Sequence, residues 1–287
     1  MATMRDIREV DTEHYWEELR QRWGALLSYR YIGRQFSSMN NVEDNAVALR
    51  HDMRNPNGGV MVAPLAIICP GGGGGSDLEM VPNPVIHSLQ ILDDARDVRR
   101  VEVVEGVSLK QGQRMGFGRA RIVDANDHTR VIALVESQGV SIGEVPPGLE
   151  HFDDEPVMAI EDSPDLPPLW QVFGASRRDD GHWTLPELHA ELASPDAALH
   201  LGPQHVLLER AATDVAQGRT GSDALQVESV HVMFLARGKA GPFRAEAEAM
   251  SGGDDSGRVG VQVVLHDEGN DDRAVTAATF VFRPAAG

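Results

Sequence analysis

Two stretches decide how this chain is read: Ala46-Val-Ala-Leu-Arg-His-Asp-Met-Arg-Asn-Pro-Asn57-Gly58-Gly59-Val-Met-Val-Ala-Pro-Leu65-Ala66, and His189-Ala-Glu-Leu-Ala-Ser-Pro-Asp-Ala-Ala-Leu-His200-Leu201-Gly202-Pro-Gln-His-Val-Leu-Leu208-Glu209. They read as one module written twice. Setting Gly59 against Gly202 brings Ala66 opposite Glu209, so only the second copy keeps a carboxylate there. A duplicated fold with one acid retained predicts a single, asymmetric site.

The elements around each stretch repeat in the same order. Asp11 to about Gln35 carries Tyr15, Trp16, Leu19, Trp23, Leu26, Leu27 and Tyr31 at helical spacing, with Asp11 or Thr12 as the cap. A short strand is expected over about Asn45–His51, and a buried helix over Val60–Cys69, opened by Asn57-Gly58-Gly59 and ended by Pro70. Gly71–Gly75 reads as a loop without the Lys-Ser/Thr ending of a phosphate loop. Val85–Leu92 is an apolar patch of undecided type, followed by strands over about Val101–Leu109, Phe117–Val123 and Val131–Ile142.

The second half follows suit. A strand, with a helix as the alternative because Pro186 weakens its start, is expected near Leu185–Ser194, then a helix from Gly202 to about Gln217, then strands near Leu225–Leu235, Phe243–Met250, Val259–Leu265 and Val275–Phe282. Strand, central helix and antiparallel strands, done twice, is an α+β architecture. The divisions are an N-terminal helix at 1–43, a first repeat at 44–144, a Pro- and acid-rich linker at 145–182, and a second repeat at 183–287.

Composition narrows the function classes. A net charge of −18 argues against nucleic acid and against an anionic membrane surface. No apolar run reaches the ~18 residues of a membrane span. Without an apolar N-terminal stretch, the expected location is cytoplasmic. Cys69 is the one cysteine, which excludes a disulfide within the chain. His87, His128 and His151 stand apart, so no metal site and no cofactor are expected.

The pattern is similar to the hotdog fold, and two tandem copies resemble a double hotdog. Within that fold it resembles the acyl-CoA thioesterase group of the 4-hydroxybenzoyl-CoA and phenylacetate pathways, whose signature is His-Gly-Gly with an acid seven residues after the second glycine. The second copy gives His200-Leu201-Gly202, then Glu209 and Thr213. The first gives Asn57-Gly58-Gly59, then Ala66 and Pro70. The resemblance implies a site built across the halves, with Asn57, Gly58 and Gly59 polarising a thioester carbonyl. Glu209 would act as nucleophile or base, with Thr213 beside it. The mirror site, His200 and Gly202 with Ala66 and Pro70, has no acid and is expected to be dead, free to hold substrate.

Asn57 departs from the pattern's His, and Leu201 from its Gly. Arg99 and Arg100, among the basic residues Arg96, Lys110, Arg114, Arg119 and Arg121, are candidates for binding the phosphates of an acyl-CoA. A homodimer of double-hotdog units is a further expectation. Two alternatives stand beside hydrolysis. A hotdog enoyl-CoA hydratase is weakened because Gly58 falls where its Asp-x-Asn-Pro-x-His pattern needs His. The other is an acyl-CoA-binding protein without catalysis.

Overall fold

The computed structural model describes residues 4–33, 46–70, 80–112, 114–144, 158–251 and 257–285. The first half runs α1 (Tyr15–Ala25), α2 (Leu27–Ile32), β1 (Val47–Ala48), α3 (Val62–Ile68), β2 (Met80–Ile91), β3 (Arg100–Gln111), β4 (Met115–Asp124) and β5 (Asp127–Glu144). The rest runs α4 (Leu169–Val172), β6 (Ser176–Arg177), β7 (Trp183–Leu185), β8 (Ala193–Ser194), β9 (Ala198–Leu199), α5 (Leu201–Thr220), β10 (Leu225–Phe234), β11 (Phe243–Ser251), β12 (Val259–Asp267) and β13 (Arg273–Pro284).

Eleven strands form one sheet in the order β1-β3-β4-β5-β2-β10-β13-β12-β11-β7-β6. About the central β2–β10 pair, the order 2-5-4-3-1 on one side answers 10-13-12-11-7 on the other. The halves join through antiparallel pairing of β2 with β10, for example His87 with Val232. Along each strand alternate residues point toward the helices, so Leu89, Ile122, Val135, Val232, Val263 and Phe280 are buried in one core with Leu65, Ile67, Leu207 and Leu208. The architecture is α+β.

The correspondence between the halves is visible in the backbone, in a different register from the one the glycines suggest. Met61 N–H donates to Met53 O and His200 N–H to Leu192 O, at 2.9 and 2.8 Å. Leu49 N–H reaches Arg99 O, as Leu188 N–H reaches Ala240 O, at 2.8 and 2.7 Å. Met53 N–H turns back to Arg50 O, and Leu192 N–H to His189 O. Over residues 49–61 corresponding residues are therefore 139 apart, four fewer than in the match of Gly59 with Gly202, and by Arg99 and Ala240 the offset is 141. In this register Leu49, Pro56 and Pro64 face Leu188, Pro195 and Pro203, and Pro70, not Ala66, stands at the place of Glu209.

Several expected elements change for identifiable reasons. The N-terminal helix is two helices, because Leu26 is extended and Leu27 N–H donates to Glu191 O across the molecule. Its N-cap position is His14, whose N–H is accepted by Asp11 Oδ1 at 3.0 Å. Strand β1 stops at Ala48 because His51–Met53 close a 3-10 turn. The strand expected over Leu185–Ser194 is realised only at its two ends, Leu185 in β7 and Ala193–Ser194 as β8, since the turns at His189–Ala193 take the backbone between them. Val85–Leu92 lies in β2 except for Leu92. The linker range contains α4 and β6. Gly71–Gly75, Asn45, Gln35 and His151 lie outside the described residues.

Candidate active site

Asn57-Gly58-Gly59 does not open a helix. It forms the tip of a small hairpin in which Arg54 bridges to Val60, with Gly58 at φ +84°. That conformation favours a residue without a Cβ. Asn57 accepts from Gly59 N–H at 2.7 Å and donates to Leu225 O at 2.7 Å, tying the hairpin to β10. The amide of Gly59 is thus spent within its own turn. Gln226 packs against Gly59 and donates to Val60 O at 2.8 Å. Asn55 Nδ2 also donates to Val60 O, at 3.3 Å.

Helix α3 starts three residues beyond Gly59, at Val62. Its N-cap residue, Met61, offers no capping oxygen. Pro64 supplies no N–H, so the amides of Val62 and Ala63 are the first-turn donors left to satisfy. Glu209 satisfies them from the other half. Its Oε1 accepts from Val62 N–H at 2.8 Å and its Oε2 from Ala63 N–H at 2.7 Å. The acid of the second half does meet backbone amides of the first. The donors are Val62 and Ala63, however, four residues on from Gly58 and Gly59. Ala63 is the residue that corresponds to Gly202 in the 139-residue register.

Glu209 lies in α5 with 0% exposure. Burial raises its pKa from 4.5 to about 7, against the two amide bonds that pull it down. Desolvation wins because neither donor carries a full charge. Among the described residues the carboxyl has no cationic partner, and neither Arg210 nor Arg178 binds it. Arg210 pairs with Asp214, and Arg178 with Asp180 and Glu268. Thr213, one turn further along α5, is half-buried and is not among the partners of the carboxyl.

The corresponding place at the start of α5 is filled differently. His200 is the N-cap, and its Nδ1 accepts from Gly202 N–H at 3.2 Å and lies 3.1 Å from Ser28 Oγ. Tyr29 and Trp23 meet the His200 ring edge to face. A Cβ on Gly202 would fall 2.7 Å from Ser28 Cβ and 3.2 Å from Ile67 Cγ1. This helix start is closed by α2 and α3. Gly202 therefore faces Ser28 and Ile67 rather than the predicted Ala66 and Pro70.

A second polar group sits on the same face of α5, one turn nearer its start. His205 Nε2 is 3.1 Å from His87 Nδ1, and both rings are fully buried. Burial depresses His87 to about 4 and His205 well below its ordinary value, so both are neutral at pH 7. Sequence reasoning set His87 apart and left this pair unread. Arg99 and Arg100 lie exposed beside β1, where Arg100 opens β3 opposite Ala48. Among the described residues no group of three or more His, Cys, Asp or Glu could hold a metal ion.

The residues around the two helix starts that the sequence did not single out are Val62, Ala63, Gln226, Asn55 and Ser28. Their one sequence signal was the matched pair Pro64 and Pro203, which fixes the correct register.

Several solved structures similar to this chain are described as thioesterases. The TesB protein of Mycobacterium avium subsp. paratuberculosis superposes with a TM-score of 0.56 at 12% identity, over 84% of this chain and 93% of that one. The acyl-CoA thioesterase II TesB2 of Mycobacterium marinum gives 0.56 at 15%, over 86% and 96%. The 12:0-ACP thioesterase of Umbellularia californica gives 0.50 at 12%, over 83% and 92%. These likenesses show a shared fold. No protein-family model and no curated protein sequence matches the chain. No described helix is long and apolar enough to cross a membrane.

Proposed function

We propose that the halves are two hotdog repeats and that the protein hydrolyses an acyl thioester, of coenzyme A or of an acyl carrier, at one site between them. The observation that carries the reading is the Glu209 carboxyl, buried, without a cation, and bonded to the first-turn amides of the other half's helix. A buried carboxyl with a pKa of about 7 is half ionised at neutral pH, the range suited to a general base. When a thioester carbonyl takes one of the two amides, the freed carboxylate oxygen can remove a proton from water, or attack the carbonyl itself. The amide so taken then stabilises the negative charge that develops on the carbonyl oxygen, while the other keeps the carboxylate in place. Collapse of that intermediate releases the thiol; it leaves the carboxylic acid directly when water attacks, and an acyl–Glu209 anhydride that water then hydrolyses when the carboxylate attacks. Arg99 and Arg100 are the proposed partners of the coenzyme phosphates, and the location is proposed to be the cytoplasm.

A second reading has an observation of its own. Both Glu209 oxygens are already bonded and the residue is fully buried, as a purely structural clamp on α3 would be. On that reading the protein binds acyl thioesters without cleaving them. A panel of short, long and aromatic acyl-CoAs separates the two. Hydrolysis is expected in the wild type and a loss of at least about 100-fold in kcat/KM in Glu209→Gln, which keeps the packing and removes the base. Undiminished turnover in that variant, or acyl-CoA binding with no turnover in the wild type, would end the hydrolase proposal.

A further inference from the structure

We infer that the site takes an acyl thioester carrying a hydroxyl close to its thioester end, and that His205, braced by His87, is the residue that recognises this hydroxyl. The inference rests on the hydrolase reading for the place of the thioester and adds the class of acyl group.

The proposed chemistry leaves the buried His87–His205 pair unused. Each residue is 0% exposed, and His205 Nε2 lies 3.1 Å from His87 Nδ1. That contact occupies one nitrogen of each ring. The other two, His87 Nε2 and His205 Nδ1, have no hydrogen-bond partner among the described residues. A buried polar atom left without a partner is costly, and native cores seldom carry one without a function or a bound molecule.

Proton counting fixes what the pair can offer. Burial keeps both rings neutral at pH 7, so each has one N–H and one bare nitrogen. One proton lies in the shared bond, which leaves one N–H and one bare nitrogen at the two outer ends. The Cys69 backbone, where α3 ends, draws the His87 pKa up against burial without an aligned bond to Nε2. A carbonyl has that effect when it faces an N–H, so the proton sits on His87 Nε2. His205 Nε2–H then donates to His87 Nδ1, and His205 Nδ1 is the bare acceptor. A hydroxyl can donate to it; a methylene or a ketone oxygen cannot.

The fold puts that acceptor beside the acyl chain. His205 precedes Glu209 by four residues on α5, a rise of ~6 Å along one face of the helix. Opposite, α3 runs from the clamp at Val62 and Ala63 toward Ile67, which packs against Gly202 at the start of α5. Ala66 lies between those contacts and contributes only a methyl group. An acyl chain that leaves a carbonyl held at one of the clamp amides and follows α5 toward its start therefore meets His205 within one turn. A hydroxyl near the thioester reaches Nδ1, whereas one at the far end of a long chain lies beyond it.

The test uses the full-length protein with octanoyl-CoA, 3-hydroxyoctanoyl-CoA, 3-oxooctanoyl-CoA and 8-hydroxyoctanoyl-CoA. The 3-hydroxy compound is expected to exceed each of the others by at least about tenfold in kcat/KM, since it alone pairs the bare nitrogen. His205→Gln sets its amide where Nε2 stood and has no atom at Nδ1, so it should bring the 3-hydroxy compound level with octanoyl-CoA. His205→Asn, whose amide stands near Nδ1, should keep most of the preference. The double variant His87→Leu, His205→Leu removes both polar partners together and should keep the circular dichroism spectrum while abolishing the preference. If none of the four is hydrolysed, the hydrolase reading fails by itself, and the same comparison made on Kd by calorimetry decides the inference. A wild type that does not favour the 3-hydroxy compound, or a preference that survives in the double variant, would overturn it.

Discussion

Replacing Glu209 by Gln should change how the protein's stability depends on pH, by an amount the site itself sets. The ordinary carboxyl value of 4.5 applies to the unfolded chain, and burial raises it to about 7 in the folded one. Each pKa unit is worth about 1.36 kcal/mol, so the difference corresponds to about 3 kcal/mol. The sign follows from proton linkage: the folded state holds the proton more tightly, so the stability gained is complete below pH 4.5 and lost as pH rises through 7. Above that, the folded protein carries a buried carboxylate whose desolvation the two amides of Val62 and Ala63 only partly offset. Gln cannot ionise. It loses one acceptor and turns an N–H₂ toward one of the amides, at a cost that does not vary with pH. Urea denaturation of both proteins between pH 4.5 and 8.5 should therefore show the wild-type advantage shrinking by about 3 kcal/mol as pH rises, with half of the change reached at about pH 5.8 and little change above about 7.5. All other titrating groups are common to the two proteins and cancel in the difference. A difference that stays flat across this range, or that grows with pH, would refute the argument that Glu209 is desolvated without a counter-charge.

Two neighbouring substitutions test the hairpin and a third residue tests the second half. Gly59→Ala drives a methyl into the Gln226 side chain and should lower stability by about 1–3 kcal/mol, whereas Gly58→Ala meets open space and pays only the left-handed backbone cost of about 1 kcal/mol. Thermal melts ranking the two the other way round would show that Gln226 moves aside freely. Arg237→Ala leaves the carboxylate of Asp196, a buried acid paired with that guanidinium at 2.5 Å, with the Ser194 hydroxyl, while Lys239 reaches the backbone carbonyl of Asp196. A loss near the lower end of about 3–5 kcal/mol is expected in chemical denaturation.

The repeated order of elements was legible because alternation along strands and the run of apolar residues after Gly202 are local signals. The register between the halves was not. Glycines are conspicuous, but Gly58 and Gly59 serve a turn that the second half builds with Ala197 at φ +53°. Matching the glycines slid one copy four residues along the other. The prolines were the better guide, since Pro64 and Pro203 both occupy the third position of a helix, where a missing N–H costs nothing. Glu209 was legible as an unusual acid because it stands among Val206, Leu207, Leu208, Ala211 and Ala212. Its partners were not, because a cap supplied from 147 residues away leaves no trace at Met61. The His87–His205 pair was hidden for the same reason: each imidazole is isolated in the chain and meets its partner only when β2 passes beneath α5.

The asymmetry of the site follows from one position occupied in two ways. Where the second half has Glu209, the first has Pro70, and proline ends α3 after seven residues while α5 runs for twenty. A short helix cannot carry an acid two turns beyond its start, so the first half can offer only its amides. A long helix can, and α5 reaches back to cap α3. The reverse clamp is unavailable, because α3 stops at Ile68 and nothing on it can do for α5 what Glu209 does for α3. The start of α5 must find another partner, and His200, Ser28 and the rings of Trp23 and Tyr29 supply it. The N-terminal helices thus cover the helix start that no acid caps. Removing residues up to Gly33 would expose the start of α5 and leave the Glu209 clamp in place, which makes the two helix starts independently testable in one molecule.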